Sequence, residues 1–168
     1  MSELKRTQLY ETHVAAGASM VDFGGWEMPV QYPTGIVAEH LYTRHFCSLF
    51  DVSHMGRLLI EGPERLAFLQ HVLSSNVAGL DLNMAQYCIL PDEDGGAVDD
   101  AYLYRFEEER FLLVVNAANK DKDAAWMRAH LSGDCAMEDI SADVAQGARQ
   151  VCPSRQEPST FLQWHDVL

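Results

Sequence analysis

Basic residues are scarce in this chain of 168 residues: 12 Lys and Arg stand against 25 Asp and Glu, for a formal net charge of −13. Affinity for nucleic acids comes largely from cationic contacts to phosphate, so this charge argues against DNA or RNA as a partner. It argues against an anionic membrane surface for the same reason. The sequence also lacks a run of ~18 apolar residues that could span a membrane and an N-terminal apolar signal core.

Cysteines are also few, at positions 47, 88, 135 and 152, and no two of them are close in sequence. This spacing is unlike that of a zinc site, and a chain of this length buries enough apolar surface to fold without disulfides. We therefore expect reduced thiols in a cytoplasmic protein. A metal site is not expected, because His40 and His45 fall on different sides of a predicted helix and have no third ligand.

The content of hydrophobic residues (48%) and of charged residues (22%) is typical of a globular protein. Hydrophobic periodicity and helix-capping residues predict helices over 34–46, 63–73 and 120–131, and strands over 49–54, 57–61, 85–90, 98–106 and 111–115. This succession predicts an α+β fold in which helices pack on a predominantly antiparallel sheet.

The patterned sequence stops near Ile140, and we place a domain boundary there. Residues 1–140 form the patterned segment, whereas the first twenty residues of the 141–168 segment hold few large apolar side chains and two prolines. Such a composition gives too little apolar surface to offset the cost of ordering the chain. Residues 141–168 are therefore predicted to be a mobile tail.

The hairpin formed by the last two predicted strands brings polar side chains together. A tight turn over residues 107–110 pairs Ala101 with Asn116, which puts Asp99 and Asn116 diagonally on one face, about 7–8 Å apart. Asp100 then lies on the opposite face, in solvent. A carboxylate and an amide converging over an apolar space suit a planar, hydrogen-bonding ligand. The alternative is that Asp99 is a turn residue and Asn116 caps the end of a strand.

Four motifs between Leu9 and Ile140 occur in a characteristic order: LYETHVAAGASMVDFGGWEMPVQY, FDVSHMGRLLIEGPE, GGAVDDAYLYR and FLLVVNAANKDKD. Together they closely resemble the N-terminal portion of the glycine cleavage system T-protein, the aminomethyltransferase. The resemblance implies an enzyme that transfers the one-carbon unit from aminomethyl-dihydrolipoyl H-protein to tetrahydrofolate and releases ammonia. It implies lipoylated H-protein and the other glycine cleavage components as partners, and it requires no metal.

The resemblance also implies a set of site residues. The key carboxylate of the family is the first Asp of its GG-x-x-DD motif, which is Asp99 in this chain. The implied folate-binding residues are Met55 of FDVSHM, Tyr87 in the strand before that motif, Asn116 of VVNAAN and, in addition, Tyr104. Asp99 is expected to hold the pterin and to assist attack of the folate nitrogen on the sulfur-bound methylene group.

Two departures from the family pattern bear on function. Ala101 stands where the family usually has Leu, and residues 141–168 replace an apolar strand that leads to a Gln-Gly-Pro motif. T-proteins are also longer and have further domains, so we expect this chain to be incomplete relative to the family. Two alternatives to an active transferase stay open: a truncated, non-catalytic folate-binding relative that needs a partner chain, and a remnant without a stable function.

Overall fold

The computed structural model of the protein describes residues 3–151. Along this part of the chain the elements are α1 (Tyr10–Ala15), β1 (Ser19–Phe23), β2 (Trp26–Gln31), α2 (Ile36–His45), β3 (Cys47–Asp51), β4 (Gly56–Glu61), α3 (Arg65–Val72), a 3-10 turn (Val77–Gly79), β5 (Met84–Pro91), β6 (Ala97–Arg105), β7 (Arg110–Val115), α4 (Lys120–Ala129), β8 (Ala136–Asp139) and β9 (Gly147–Val151). Of the helices in residues 3–151, none has the length and apolarity that crossing a bilayer requires.

The predicted fold class is confirmed, since α-helices accompany strands that pair in antiparallel fashion in every sheet of the described residues. The three predicted helices correspond to α2, α3 and α4, and the five predicted strands to β3, β4, β5, β6 and β7. The predictions missed α1, β8 and β9. These elements have only four to six residues each, too few for a hydrophobic period to stand out.

The described residues form two compact units, and the first comprises residues 3–54 and 142–151. In it, β1 and β2 form a hairpin whose turn contains Gly24 and Gly25, both at positive φ. A second two-stranded sheet pairs β3 with β9, from Cys47 opposite Val151 to Asp51 opposite Gly147. The sequence predicts extended chain with a turn over residues 20–32, because aromatic residues flank the two glycines there, and this hairpin confirms it.

The end of this unit differs from the predicted mobile tail. Residues 147–151 form β9, because their backbone groups complete the antiparallel ladder of β3 even though their side chains are mostly small or polar. Residues 147–151 are ordered through backbone hydrogen bonds, which the amino-acid composition does not reveal. Residues 152–168 lie outside the described residues, and mobility there stays a prediction.

The second unit, residues 55–141, is a five-stranded antiparallel sheet of order β5-β6-β7-β4-β8 with α3 and α4 packed on one face. Side chains on that face alternate along each strand with side chains on the other face. The buried core between sheet and helices includes Leu58, Ile60, Phe68, Leu69, Cys88, Leu90, Ala101, Leu103, Leu113, Val115, Ala124 and Met127. We call this side of the sheet the helix face.

The register predicted for the β6–β7 hairpin is wrong by one residue. Ala101 pairs with Val115, not with Asn116, and Leu103 pairs with Leu113. The hydrophobic pattern could not decide between the two registers, because five successive residues of β7, 111–115, are apolar and buried. A shift of one residue exchanges the two faces of a strand, so it changes which side chains share a surface.

Candidate functional site

Three tyrosines cover the side of the sheet opposite the helix face. Tyr87 of β5 pairs with Tyr102 of β6, and Tyr104 follows two residues later on the same side. The ring centroids of Tyr87 and Tyr102 are 5.7 Å apart, and those of Tyr102 and Tyr104 are 6.0 Å apart. Tyr87 is 53% exposed and Tyr102 is 46% exposed. We call this surface the tyrosine face.

Asp100 lies on the tyrosine face. It pairs with Ile89, two residues along each strand from the Tyr87–Tyr102 pair, so its side chain shares their side of the sheet. Desolvation raises the pKa of the Tyr87 phenol, and the negative charge of Asp100 raises this pKa further. The carboxyl group of Asp100 is therefore close enough to act on Tyr87, and Asp100 is half-buried instead of fully exposed as predicted.

Asp99 has its side chain on the helix face. It pairs with Leu90 and shares its side of β6 with Ala101. Asp99 Oδ2 accepts a hydrogen bond of 2.8 Å from Nδ2 of Asn119. Burial alone would raise the pKa of Asp99, but hydrogen bonds, first among them that of the Asp100 backbone N–H, outweigh burial and lower it.

Asn116 joins the two aspartates. Its Nδ2 lies 3.1 Å from Oδ1 of Asp99, 3.1 Å from Oδ1 of Asp100 and 3.3 Å from the Asp100 carbonyl oxygen. The structure thus brings Asp99 and Asn116 together. They are in direct contact, however, and the apolar space predicted between them is absent.

Met55 lies at the same end of the sheet. Gly56 pairs with Val115, so continuing that register by one residue places Met55 opposite Asn116, and Asn116 opposite Asp100. A Cβ on Gly56 would lie 2.6 Å from Cγ2 of Val115, so glycine is needed where β4 meets the end of β7. Met55 therefore lies at the end of the sheet where Asn116 contacts Asp100.

The start of α4 adds two residues that the sequence analysis did not include in the site. Asn119, which directly precedes this helix, makes no side-chain cap and donates to Asp99 instead. Asp123, one turn further along, is 0% exposed. The sequence pattern could have revealed Asp123, because this carboxylate shares its side of α4 with the buried residues Ala124 and Met127.

Another polar cluster lies within the first unit and was not predicted. His13 Nδ1 lies 2.7 Å from the hydroxyl of Tyr32, and His13 Nε2 lies 2.9 Å from Oδ2 of Asp51. The hydroxyl of Thr7 donates to the same Asp51 oxygen over 2.8 Å. These groups satisfy one another, so the cluster stabilises the first unit.

The second unit thus offers aromatic rings beside a carboxylate and an amide on one open surface. Aromatic rings bind flat ligands by stacking, while Asp100 and Asn116 can accept and donate hydrogen bonds at the rim. This combination suits a planar heterocycle that carries N–H groups.

Comparison with known proteins identifies the family to which this chain belongs. Residues 9–150 match the family model described as the GCVT N-terminal domain. The chain belongs to the GCVT N-terminal domain family. The predicted resemblance is confirmed, and the match extends ten residues beyond Ile140, where the sequence analysis ended it.

Relatives of this GCVT domain are enzymes named aminomethyltransferase. One from Desulfitobacterium hafniense (strain Y51) is 52% identical over 151 residues, which are 89% of this chain and 41% of the relative. One from Geobacillus kaustophilus (strain HTA426) is 48% identical over 147 residues, 88% of this chain and 40% of the relative.

A solved structure agrees with the GCVT assignment. The crystal structure of glycine cleavage system aminomethyltransferase T from Bartonella henselae superposes with a TM-score of 0.80 at 38% identity, covering 88% of this chain and 40% of that one. The chain therefore spans about two fifths of the length of the relatives it matches.

Proposed function

We propose that the tyrosine face binds tetrahydrofolate as the acceptor in an aminomethyl transfer of the glycine cleavage system. The observation that carries this proposal is the contact of Asn116 with Asp100 beside Tyr87 and Tyr102, in a chain whose relatives are named aminomethyltransferase. The proposed donor is the aminomethyl-dihydrolipoyl arm of H-protein. The proposed compartment is the cytoplasm, in line with the reduced thiols expected from the sequence.

Each group on this face has a proposed role. The pterin ring packs against the tyrosines and Met55, while the Asp100 carboxylate accepts hydrogen bonds from pterin N–H groups and Asn116 orients that carboxylate. A carboxylate beside the reacting nitrogen also stabilises positive charge as ammonia leaves. The family resemblance implies this role for Asp99; we assign it to Asp100, because Asp100 shares a surface with the tyrosines.

A second candidate function is folate binding without turnover, completed by a partner chain. The openness of the tyrosine face favours it, since Tyr87 and Tyr102 are each about half exposed. Transfer of a reactive one-carbon unit requires that water be kept from the reacting atoms. The two candidates differ in the product: only the first gives methylenetetrahydrofolate from aminomethylated H-protein and this chain alone.

Calorimetric titration with tetrahydrofolate tests the proposed site. Asp100→Asn is expected to weaken binding about tenfold or more, because it removes a charged hydrogen-bond acceptor. Asp94→Asn, an exposed aspartate in the turn before β6, is the matched control and is expected to bind like the wild type. Wild-type affinity in Asp100→Asn, with binding abolished in Asp99→Asn, would return the key role to Asp99.

A further inference from the structure

The carboxyl group of Asp123 is buried and, among the described residues, has no nitrogen or hydroxyl hydrogen-bond donor beside it. It is 0% exposed, and in the described structure no nitrogen or hydroxyl donor lies within hydrogen-bond distance of either carboxyl oxygen. Lys122 Nζ is 3.7 Å from Asp123 Oδ1 but makes its short contact, 2.6 Å, with the carbonyl oxygen of Val98. A buried carboxyl group in such a place is costly when it is ionised.

The start of α4 holds Asp123 against the strand that carries Asp99, because Asn119 donates to Asp99 Oδ2 and Lys122 contacts the carbonyl oxygen of Val98, the residue before Asp99. The carboxyl of Asp99 is thereby brought within hydrogen-bonding reach of Asp123. Two carboxyl groups can bond each other only when one of them carries a proton. Asp99 accepts from donors on both of its oxygens: Oδ1 from Asn116 and the Asp100 backbone N–H, and Oδ2 from Asn119. Such an environment stabilises an ionised Asp99, which leaves the proton on Asp123.

We propose that Asp123 is a positioning residue that shares a proton with Asp99: Asp123 carries the proton and donates it in a hydrogen bond to Asp99. Asp99 in turn accepts from Asn116, and Asn116 contacts Asp100 on the tyrosine face. A connected chain of side chains thus runs from the helix face to the other side of the sheet. The effect of this chain on folate rests on the proposed function, whereas the shared proton does not.

The electrostatics of the pair agree with this arrangement. Burial raises the pKa of Asp123 to about 7, and contact with Asp99 acts in the same direction. The charged groups that act on Asp123 are Asp99 from β6 and Lys122 from its own helix, and Lys122 opposes the rise. Above this pKa a second negative charge forms next to Asp99, and the hydrogen bond between the two carboxyls is lost.

A carboxyl titration followed by NMR tests the shared proton without any ligand. With the aspartates labelled with ¹³C at the carboxyl carbon, one resonance of the wild-type chain is expected to titrate with a midpoint near 7. That resonance is expected to disappear in Asp123→Asn. Asp121→Asn is the matched control on the same helix, because the Asp121 side chain is 90% exposed, and it should retain the resonance.

The positioning role is tested by the pH dependence of tetrahydrofolate binding. Wild-type affinity is expected to fall severalfold between pH 6 and pH 8, whereas Asp123→Asn keeps a donor toward Asp99 at every pH and should give a flat profile. Failure of wild-type folate binding at all pH values would contradict the proposed function and leave the NMR result standing. Titration of every aspartate below pH 5 would overturn the shared proton.

Discussion

Neighbouring aspartates in β6 have different environments because successive side chains of a strand point to opposite faces. Asp99 meets the start of α4 through Asn119, whereas Asp100 lies with the tyrosines. Asn116 reaches both aspartates because it lies just beyond the last residue of β7, at the edge where the two faces meet. A carboxylate on each side of the sheet is therefore held by the same amide.

The raised pKa of Asp123 predicts a specific pH dependence of stability. Between pH 3.8 and about 7 the folded state holds this proton while the unfolded state has released it, so the free energy of unfolding falls as pH rises through that window. Asp123→Asn removes this pH-dependent decrease in the free energy of unfolding, which in the wild type reaches at most on the order of 4 kcal/mol above pH 7. Urea denaturation at pH 4.5, 6.0 and 7.5 measures it. A difference between variant and wild type that does not grow with pH would contradict the prediction.

The pKa of Asp51 is shifted in the opposite direction from that of Asp123. Burial alone would raise its pKa, but hydrogen bonds from Ser53, His13 and Thr7 outweigh burial and lower it. Its contribution to stability is therefore present above pH 3.8 and is lost as pH falls through the lower folded pKa. At pH 7, Asp51→Asn is expected to cost about 1–3 kcal/mol, because it removes a charged acceptor from these donors.

Thermal or urea denaturation of the Asp51 variant at pH 7 and pH 3 provides the measurement. Asp143→Asn, an exposed aspartate of the same unit, is the control and should change stability little. A loss for Asp51→Asn that is equally large at both pH values would show that the charge of Asp51 is not its cause.

Among the elements, the long strands and the helices with a clear apolar side were predictable, and the pairing register was not. The four sequence motifs were sufficient to identify the family. The strands β4 to β7 and the helices α2 to α4 were each long enough for their hydrophobic patterns to be recognised. The strand β7 has buried apolar residues on both faces, so alternation left its register open. That single step decided whether Asn116 was placed on the face of Asp99 or on the face of Asp100.

The junction between β4 and β7 provides a test at the level of elements. In Gly56→Ala the new Cβ would lie 2.6 Å from Cγ2 of buried Val115 and 2.5 Å from Cγ of Lys120. Overpacking of this kind typically costs about 1–3 kcal/mol, and it would also displace the neighbouring Met55. Chemical denaturation measures the cost.

The control for this junction is Gly79→Ala, whose Cβ would meet first the flexible end of Asn76, at 3.1 Å. It is expected to change stability much less. Equal stability of Gly56→Ala and the wild type would show that the chain can shift at this point, and that Gly56 does not fix the position of Met55.

At the scale of the whole molecule, apolar burial is uneven. Within the described residues, Met28 is the one buried apolar side chain of the first unit, and the remaining buried apolar side chains belong to the second. Val37 and Leu49 of the first unit are each 73% exposed. Large apolar side chains exposed in this number favour binding to another polypeptide or self-association.

We therefore expect the chain to bind a hydrophobic fluorescent dye in its native state and to self-associate at micromolar concentration. The double variant Val37→Gln/Leu49→Gln is expected to reduce both effects with little change in melting temperature, because neither side chain is buried. Light scattering after size-exclusion chromatography measures the association. A wild-type chain that is monomeric and does not bind the dye would contradict this expectation.

The most direct test of folate binding at the tyrosine face is an NMR titration of the chain with tetrahydrofolate, followed on backbone amides and on tyrosine ring resonances. The largest shifts are expected on Tyr87, Tyr102, Asp100 and Asn116, and Asp100→Asn is expected to weaken them. Shifts confined to the first unit around His13 and Tyr32, or no shifts at saturating tetrahydrofolate, would contradict it.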